Sequence, residues 1–195
     1  MNPQDPPEKP EILQLTQFGN PILRKVAKHL TRNEIKSEKI KRLIKDMYYT
    51  LDRKKYGVGL AAPQVGEPLA ISAIHLQPLP WRPEAKERKL TLINPEIIET
   101  HGRRTGMWEG CISFCGGQKE FPYAKALRYR KVTVKYTDED GKTQKESFEG
   151  LLGHVIQHEV DHLNGILFVD RVKDTTSYVT VSEYDKRYRQ MNKEA

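Results

Sequence analysis

The stretch QHEVDHLNG, residues 157–165, sets two histidines four positions apart with a glutamate beside the first. Its reading decides the fold, because the pattern has chemical sense only on a helix. There, side chains four apart share a face with Cβ atoms about 5 to 6 Å from one another, so the imidazoles of His158 and His162 can converge on one ion. Glu159 then reaches a water on that ion without ligating it. This is the H-E-x-x-H arrangement, in which the ion makes water nucleophilic and the carboxylate moves its proton. The surrounding residues agree: Leu151, Leu152, Val155, Ile156, Val160 and Leu163 share one broad side of a helical wheel. They predict a helix from about residue 149 to about 164, stopped by Gly165, a residue suited to a left-handed end. His158 and His162 fall at the margin of the apolar side, which predicts partial burial and a need for polar partners. His154 would lie roughly 12 Å along the axis from His162, too far to share its ion. It is expected to be satisfied by a neighbour or to face solvent.

Working outward, Ser37 can cap a helix whose apolar positions Ile40, Leu43, Ile44, Met47 and Leu51 recur at helical spacing. Strand-like runs follow at LAISAIHL (69–76), KLTLIN (89–94) and KVTVKY (131–136). The last turns through DEDGK and returns as TQKESFE (143–149), a hairpin. The charged, proline-rich QPLPWRPEAKER between the first two runs is expected as an exposed loop. This order gives an α+β fold: a single domain with antiparallel strands packed around the central H-E-x-x-H helix. The 195 residues suffice for one substantial core. Residues 1–11, polar and rich in proline, are expected as a flexible leader.

No apolar run approaches the ~18 residues of a membrane span, and the opening MNPQDPPEKPE offers no basic or apolar targeting segment. A soluble, cytoplasmic protein without a membrane partner is expected. Two cysteines are too few for a secreted disulfide framework and leave thiols available for metal or catalysis. The net charge of +7 is uneven, with twelve Lys/Arg against four Asp/Glu from Arg24 to Lys55 and eight acids against two lysines from Asp138 to Asp170. A basic face favours RNA-rich surroundings. Without an aromatic-interleaved basic motif, a solvated helix surface is the plainer reading, and no DNA partner is expected.

A metal site needs a third protein ligand, and Cys111 in WEGCISF offers one, although a free cysteine is more often a small core residue. GVGLAAPQVG (57–66) supplies glycines that let a substrate backbone approach closely, and Gln64, whose amide can donate to an oxyanion. Taken singly, a structural turn is the simpler explanation. Cys115 opens a rival, since C-x3-C with H-x3-H matches a closed Cys2His2 zinc site. Against it, 42 residues separate the two halves, and Glu159 and Gln64 would lack a purpose. An H-E-x-x-H metallopeptidase and a non-catalytic metal-binding interaction module are further alternatives.

Taken together, GVGLAAPQ, EGCIS and QHEVDHLNGILFVDR resemble peptide deformylase, and the likeness runs on through FGNPILRKVA (18–27) and LINPEII (92–98), which implies a catalytic domain over roughly residues 12–171 and a C-terminal extension over 172–195. The resemblance implies removal of the N-formyl group from nascent polypeptides that begin with formylmethionine, with release of formate. It implies that Cys111, His158 and His162 hold one divalent metal ion: ferrous iron, with zinc, nickel or cobalt able to occupy the site. Glu159 would be the general base, and Gln64 with the backbone N–H of Ile112 would stabilise the oxyanion. Substrate backbone is expected to lie extended beside Val58 and Gly59. The methionine side chain would enter an apolar pocket of Val58, Leu151 and Val155, residues that ordinary core packing explains equally well. Arg128 is expected to brace Glu109. Ribosome contact would use the basic helix near residues 36–55 or the tail SEYDKRYRQ (182–190). One departure stands out: after EGCIS this chain continues Phe114-Cys115-Gly116-Gly117, where the family usually has a small aliphatic residue and proline, so the substrate-side rim is expected to differ.

Overall fold

The computed structural model describes residues 9–54, 57–78, 85–114 and 122–189. Its helices are α1 (Arg32–Ile35), α2 (Glu38–Arg53), α3 (Gly150–Leu163) and α4 (Val181–Tyr184). Its strands are β1 (Gly59–Ala61), β2 (Ile71–Leu76), β3 (Arg88–Glu109), β4 (Pro122–Thr137), β5 (Thr143–Glu149) and β6 (Val179–Thr180). Strands β1 to β5 are neighbours in chain order, every pairing is antiparallel, and β6 adds to the start of β4. The expected α+β architecture is therefore observed, with α3 held against β1, β2, β4 and β5.

Period-two alternation in β2 explains how the sheet carries a helix on each face. Ile71 and Ala73 join Ile40, Ile44, Met47 and Leu51 of α2, whereas Ile74 joins Ile156 and Val160 of α3. A strand covered on both sides reads as a largely apolar run, as LAISAIHL does apart from Ser72 and His75. Ser37 caps α2 as expected, accepting from the Ile40 N–H at 3.4 Å. Ahead of α2, the Glu11 N–H donates to Asp46 Oδ1 at 2.9 Å and the Leu13 N–H to Thr50 Oγ1 at 2.8 Å, so the segment runs beside that helix.

Two expectations need correction. Strands β3 and β4 extend far past KLTLIN and KVTVKY, because residues 98–106 are exposed and pair with β4 outside the core. Such an arm shows no apolar alternation, which is the signal that marks a half-buried strand. Helix α3 starts and ends where expected, with Gly165 left-handed at φ 71°, but it is not one-sided. His154, Gln157, Glu159, Asp161 and His162 are all buried, while Leu151 is 37% exposed. The wheel placed both histidines at a margin; His158 is partly buried as expected, whereas His162 is fully enclosed, because strands pack on more than one side of the helix. Its polar residues are tied internally, as when Gln157 Oε1 accepts from the Tyr129 N–H and Nε2 donates to the Tyr129 carbonyl, both at 2.9 Å. Gly153 allows the enclosure, since a Cβ there would stand 2.7 Å from the Phe148 carbonyl oxygen.

Candidate metal centre

Cys111 stands two residues past the end of β3, and His158 and His162 stand one turn apart on α3. Their donor atoms converge: Cys111 Sγ lies 3.3 Å from His162 Nε2, which lies 3.2 Å from His158 Nε2. Among the described residues this is the one group of three or more such side chains gathered closely enough to hold an ion. Burial lowers the His158 pKa, but the Cys111 sulfur and the Glu109 carboxylate outweigh it and hold this imidazole well above its usual value. Burial first, and then the charge on His158, push His162 well below. Two imidazole nitrogens this close accept only one positive charge between them, a place that a divalent cation fills. The donors suit such an ion, a soft thiolate with two imidazoles. Two buried atoms beside them, His162 Nδ1 and Glu159 Oε2, have no hydrogen-bond partner among the described residues.

Glu109 orients the first histidine. Its Oε2 accepts from His158 Nδ1 at 2.7 Å, which leaves the Nε2 lone pair facing the other two donors. The rest of the carboxylate is held by Arg128, Nε to Oε1 at 2.5 Å and Nη2 to Oε2 at 3.0 Å, as the expected brace, and by His154 Nε2 at 2.6 Å. Burial raises the Glu109 pKa, but these bonds, led by His154 and His158, win and hold it well below the carboxylate range. Arg128 also grips Asp161, which binds Arg171 through Oδ1 at 2.6 Å. The sequence reading assigned nothing to Asp161 and Arg171. An aspartate inside a run of core-facing helical residues signals a buried partner, without naming it.

Glu159 is buried without a charged partner, and burial pushes its carboxyl up to about 7. It sits against Gly59 of β1, where a Cβ would stand 2.2 Å from Glu159 Oε1. That glycine was expected to admit substrate backbone; the side chain it visibly admits is the glutamate. Gln64 Oε1 accepts from the Ala61 N–H at 2.8 Å, while Nε2 donates to Ser113 Oγ at 3.1 Å and to Cys111 Sγ at 3.3 Å. Ile112 opens the short 3-10 turn Ile112–Phe114 directly after Cys111. Sequence reasoning missed Ser113, although it lies within WEGCISF.

A cavity of about 130 Å³ opens onto these groups. Val58, Gly59, Gln64, Ile112, Leu151 and Val155, named above from sequence, all line it. So do Trp108 and Tyr123, which were not anticipated. Cys115 and residues 79–84 of the proline-rich loop lie outside the described residues.

The sequence profile of the family described as Polypeptide deformylase matches residues 12–178. A peptide deformylase from a Synechococcus species is 41% identical over 171 residues, 87% of this chain and 78% of that protein. A second, peptide deformylase 2 from a Nostoc species, is 36% identical over 91% of this chain and 95% of its own. Among solved structures, a class I type b peptide deformylase from Acinetobacter baumannii with Met-Ala-Ser bound superposes with a TM-score of 0.76. Its identity is 33%, over 84% of this chain and all of that one.

Proposed function

This chain belongs to the polypeptide deformylase family, whose reaction is removal of the N-formyl group from nascent polypeptides, and on that premise we propose how its residues carry that reaction. Cys111, His158 and His162 hold one divalent ion, and the convergence of Sγ and two Nε2 atoms is the observation that supports this. Ferrous iron is the ion assigned, with zinc, nickel or cobalt as substitutes that the same donors accept. When bound, the ion supplies Lewis acidity, making water nucleophilic near neutral pH and polarising the formyl carbonyl. Glu159 takes the water proton on Oε2, the atom free of other bonds, and returns it to the departing amine; a carboxyl that titrates near 7 suits both transfers. Ser113 occupies one hydrogen of Gln64 Nε2, and the other, which points to Cys111 Sγ at 3.3 Å, turns to the oxyanion and serves it together with the Ile112 N–H. The peptide lies extended beside Val58 and Gly59, with the methionine side chain against Val58, Leu151 and Val155. The catalytic unit is taken as residues 12–171.

The Acinetobacter baumannii relative holds Met-Ala-Ser, so formyl-Met-Ala-Ser is the substrate of choice for a test. Anaerobically purified protein should contain iron and release formate from this peptide without internal cleavage. Cys111→Ser should lose both metal and formate release; wild-type metal content in that variant would remove the thiolate from the site. Docking on ribosomal RNA through α2 or residues 182–190 belongs to the same reading. It predicts cosedimentation with ribosomes that weakens as salt rises.

A further inference from the structure

The chain beyond residue 171 returns to the mouth of the cavity. Ser177 Oγ accepts from the Lys125 N–H at 3.1 Å, and β6 pairs with the start of β4, Val179 opposite Tyr123 and Thr180 opposite Pro122. Thr180 then caps α4, which brings Tyr184 against two aromatic residues. Its ring centroid lies 5.0 Å from that of Trp108 at 62° and 4.9 Å from that of Tyr123 at 42°. Trp108 and Tyr123 stack at 6.5 Å and 21°, and both line the cavity. Tyr184 is not among the described residues that line it, and the two rings it touches connect it to the cavity. Lys125 Nζ sits 5.3 Å over the Trp108 ring, which adds a fixed positive charge to this rim.

We infer that Tyr184 is a positioning residue that holds Trp108 and Tyr123 as an aromatic wall, giving the enzyme a preference for an aromatic or large apolar side chain downstream of the formylmethionine. The physical reason is pre-organisation. Two half-buried rings on a strand end must be fixed before they can stack on a substrate ring, and a third ring in edge contact with one of them restricts both. The lysine over Trp108 sets the sign of the selection, since a basic substrate residue would meet like charge. The inference rests on the deformylase reading.

The experiment compares formyl-Met-Ala-Ser with formyl-Met-Phe-Ser and formyl-Met-Ala-Phe, following formate release by the metal-loaded full chain. The wild type should favour at least one aromatic peptide through KM, by about two- to tenfold, the worth of one aromatic pair. Tyr184→Ala should erase that preference while the kcat values of the three peptides keep their ratio, and Tyr184→Phe should restore it. Tyr184→Leu, which fills the space without a ring, serves if the alanine variant does not fold. Equal KM values for all three wild-type peptides, or a preference that survives loss of the ring, would overturn the inference alone. Absence of formate from every peptide would instead overturn the reading beneath it.

Discussion

At the scale of single residues, placement and protonation state are set by contacts of one or two atoms. Gly59 is the sharpest case, because the room a methyl group would need is already filled by the Glu159 carboxylate. Gly59→Ala should leave the metal in place and lower kcat for formyl-Met-Ala-Ser by about 10²-fold, the scale of a 1 Å misplacement at a reacting group. Metal analysis beside a formate assay separates this from loss of the ion. Unchanged kcat would show that the carboxylate has another working position. Gln64→Leu is a different test, since it removes an oxyanion donor worth about 2.7 to 4 kcal/mol of barrier. It also strips partners from the buried Ala61 N–H and Ser113 hydroxyl. The variant should be slow and, in urea unfolding, less stable by about 1 to 3 kcal/mol. Normal turnover would refute the oxyanion role.

Among elements, packing decides what the sequence could and could not reveal. Helix α3 was readable to within a residue at both ends because its apolar spacing and Gly165 are local signals. The pairing of His158 with His162 was readable because residues four apart on a helix need no tertiary knowledge, whereas Cys111, far away in the chain, was assigned only through the family resemblance. The Arg128–Asp161–Arg171 chain was not, since it joins β4, α3 and the turn after α3 through side chains far apart in sequence. Nor was the aromatic wall, whose members come from β3, β4 and α4. A contact between α2 and β3 gives a pH test: Tyr48 Oη lies 2.9 Å from Thr91 Oγ1, and burial pushes its pKa from 10.0 to about 12. The folded state keeps a proton that the unfolded chain releases first. Stability from this group is therefore full below about pH 10 and is lost as pH climbs through about 12, by up to about 2.7 kcal/mol. In alkaline unfolding curves Tyr48→Phe should fall less steeply than the wild type across that window; parallel curves would contradict the burial of the phenol.

For the whole molecule, an ion on the proposed ligands would add a tie between β3 and α3, which the bonds of Glu109 to His154 and His158 already join. Cys111 comes from the end of β3 and the histidines from α3, so metal bound to the folded state alone adds to its stability. At one hundred times its dissociation constant the ion should contribute about 2.7 kcal/mol, or about 5 to 10 °C in melting temperature for a chain of this size. Scanning calorimetry with and without a chelator measures it, and identical midpoints would deny the link. The outlying arm of β3 has the opposite character. Gly102, at φ 76°, sits within exposed residues 98–106, with nothing within 4 Å of where its Cβ would be. That glycine falls at the bulge between the pairings of His101 with Lys131 and Arg104 with Tyr129, so a small fluorophore attached through a cysteine put in its place would travel with the enzyme as a reporter, far from the chemistry.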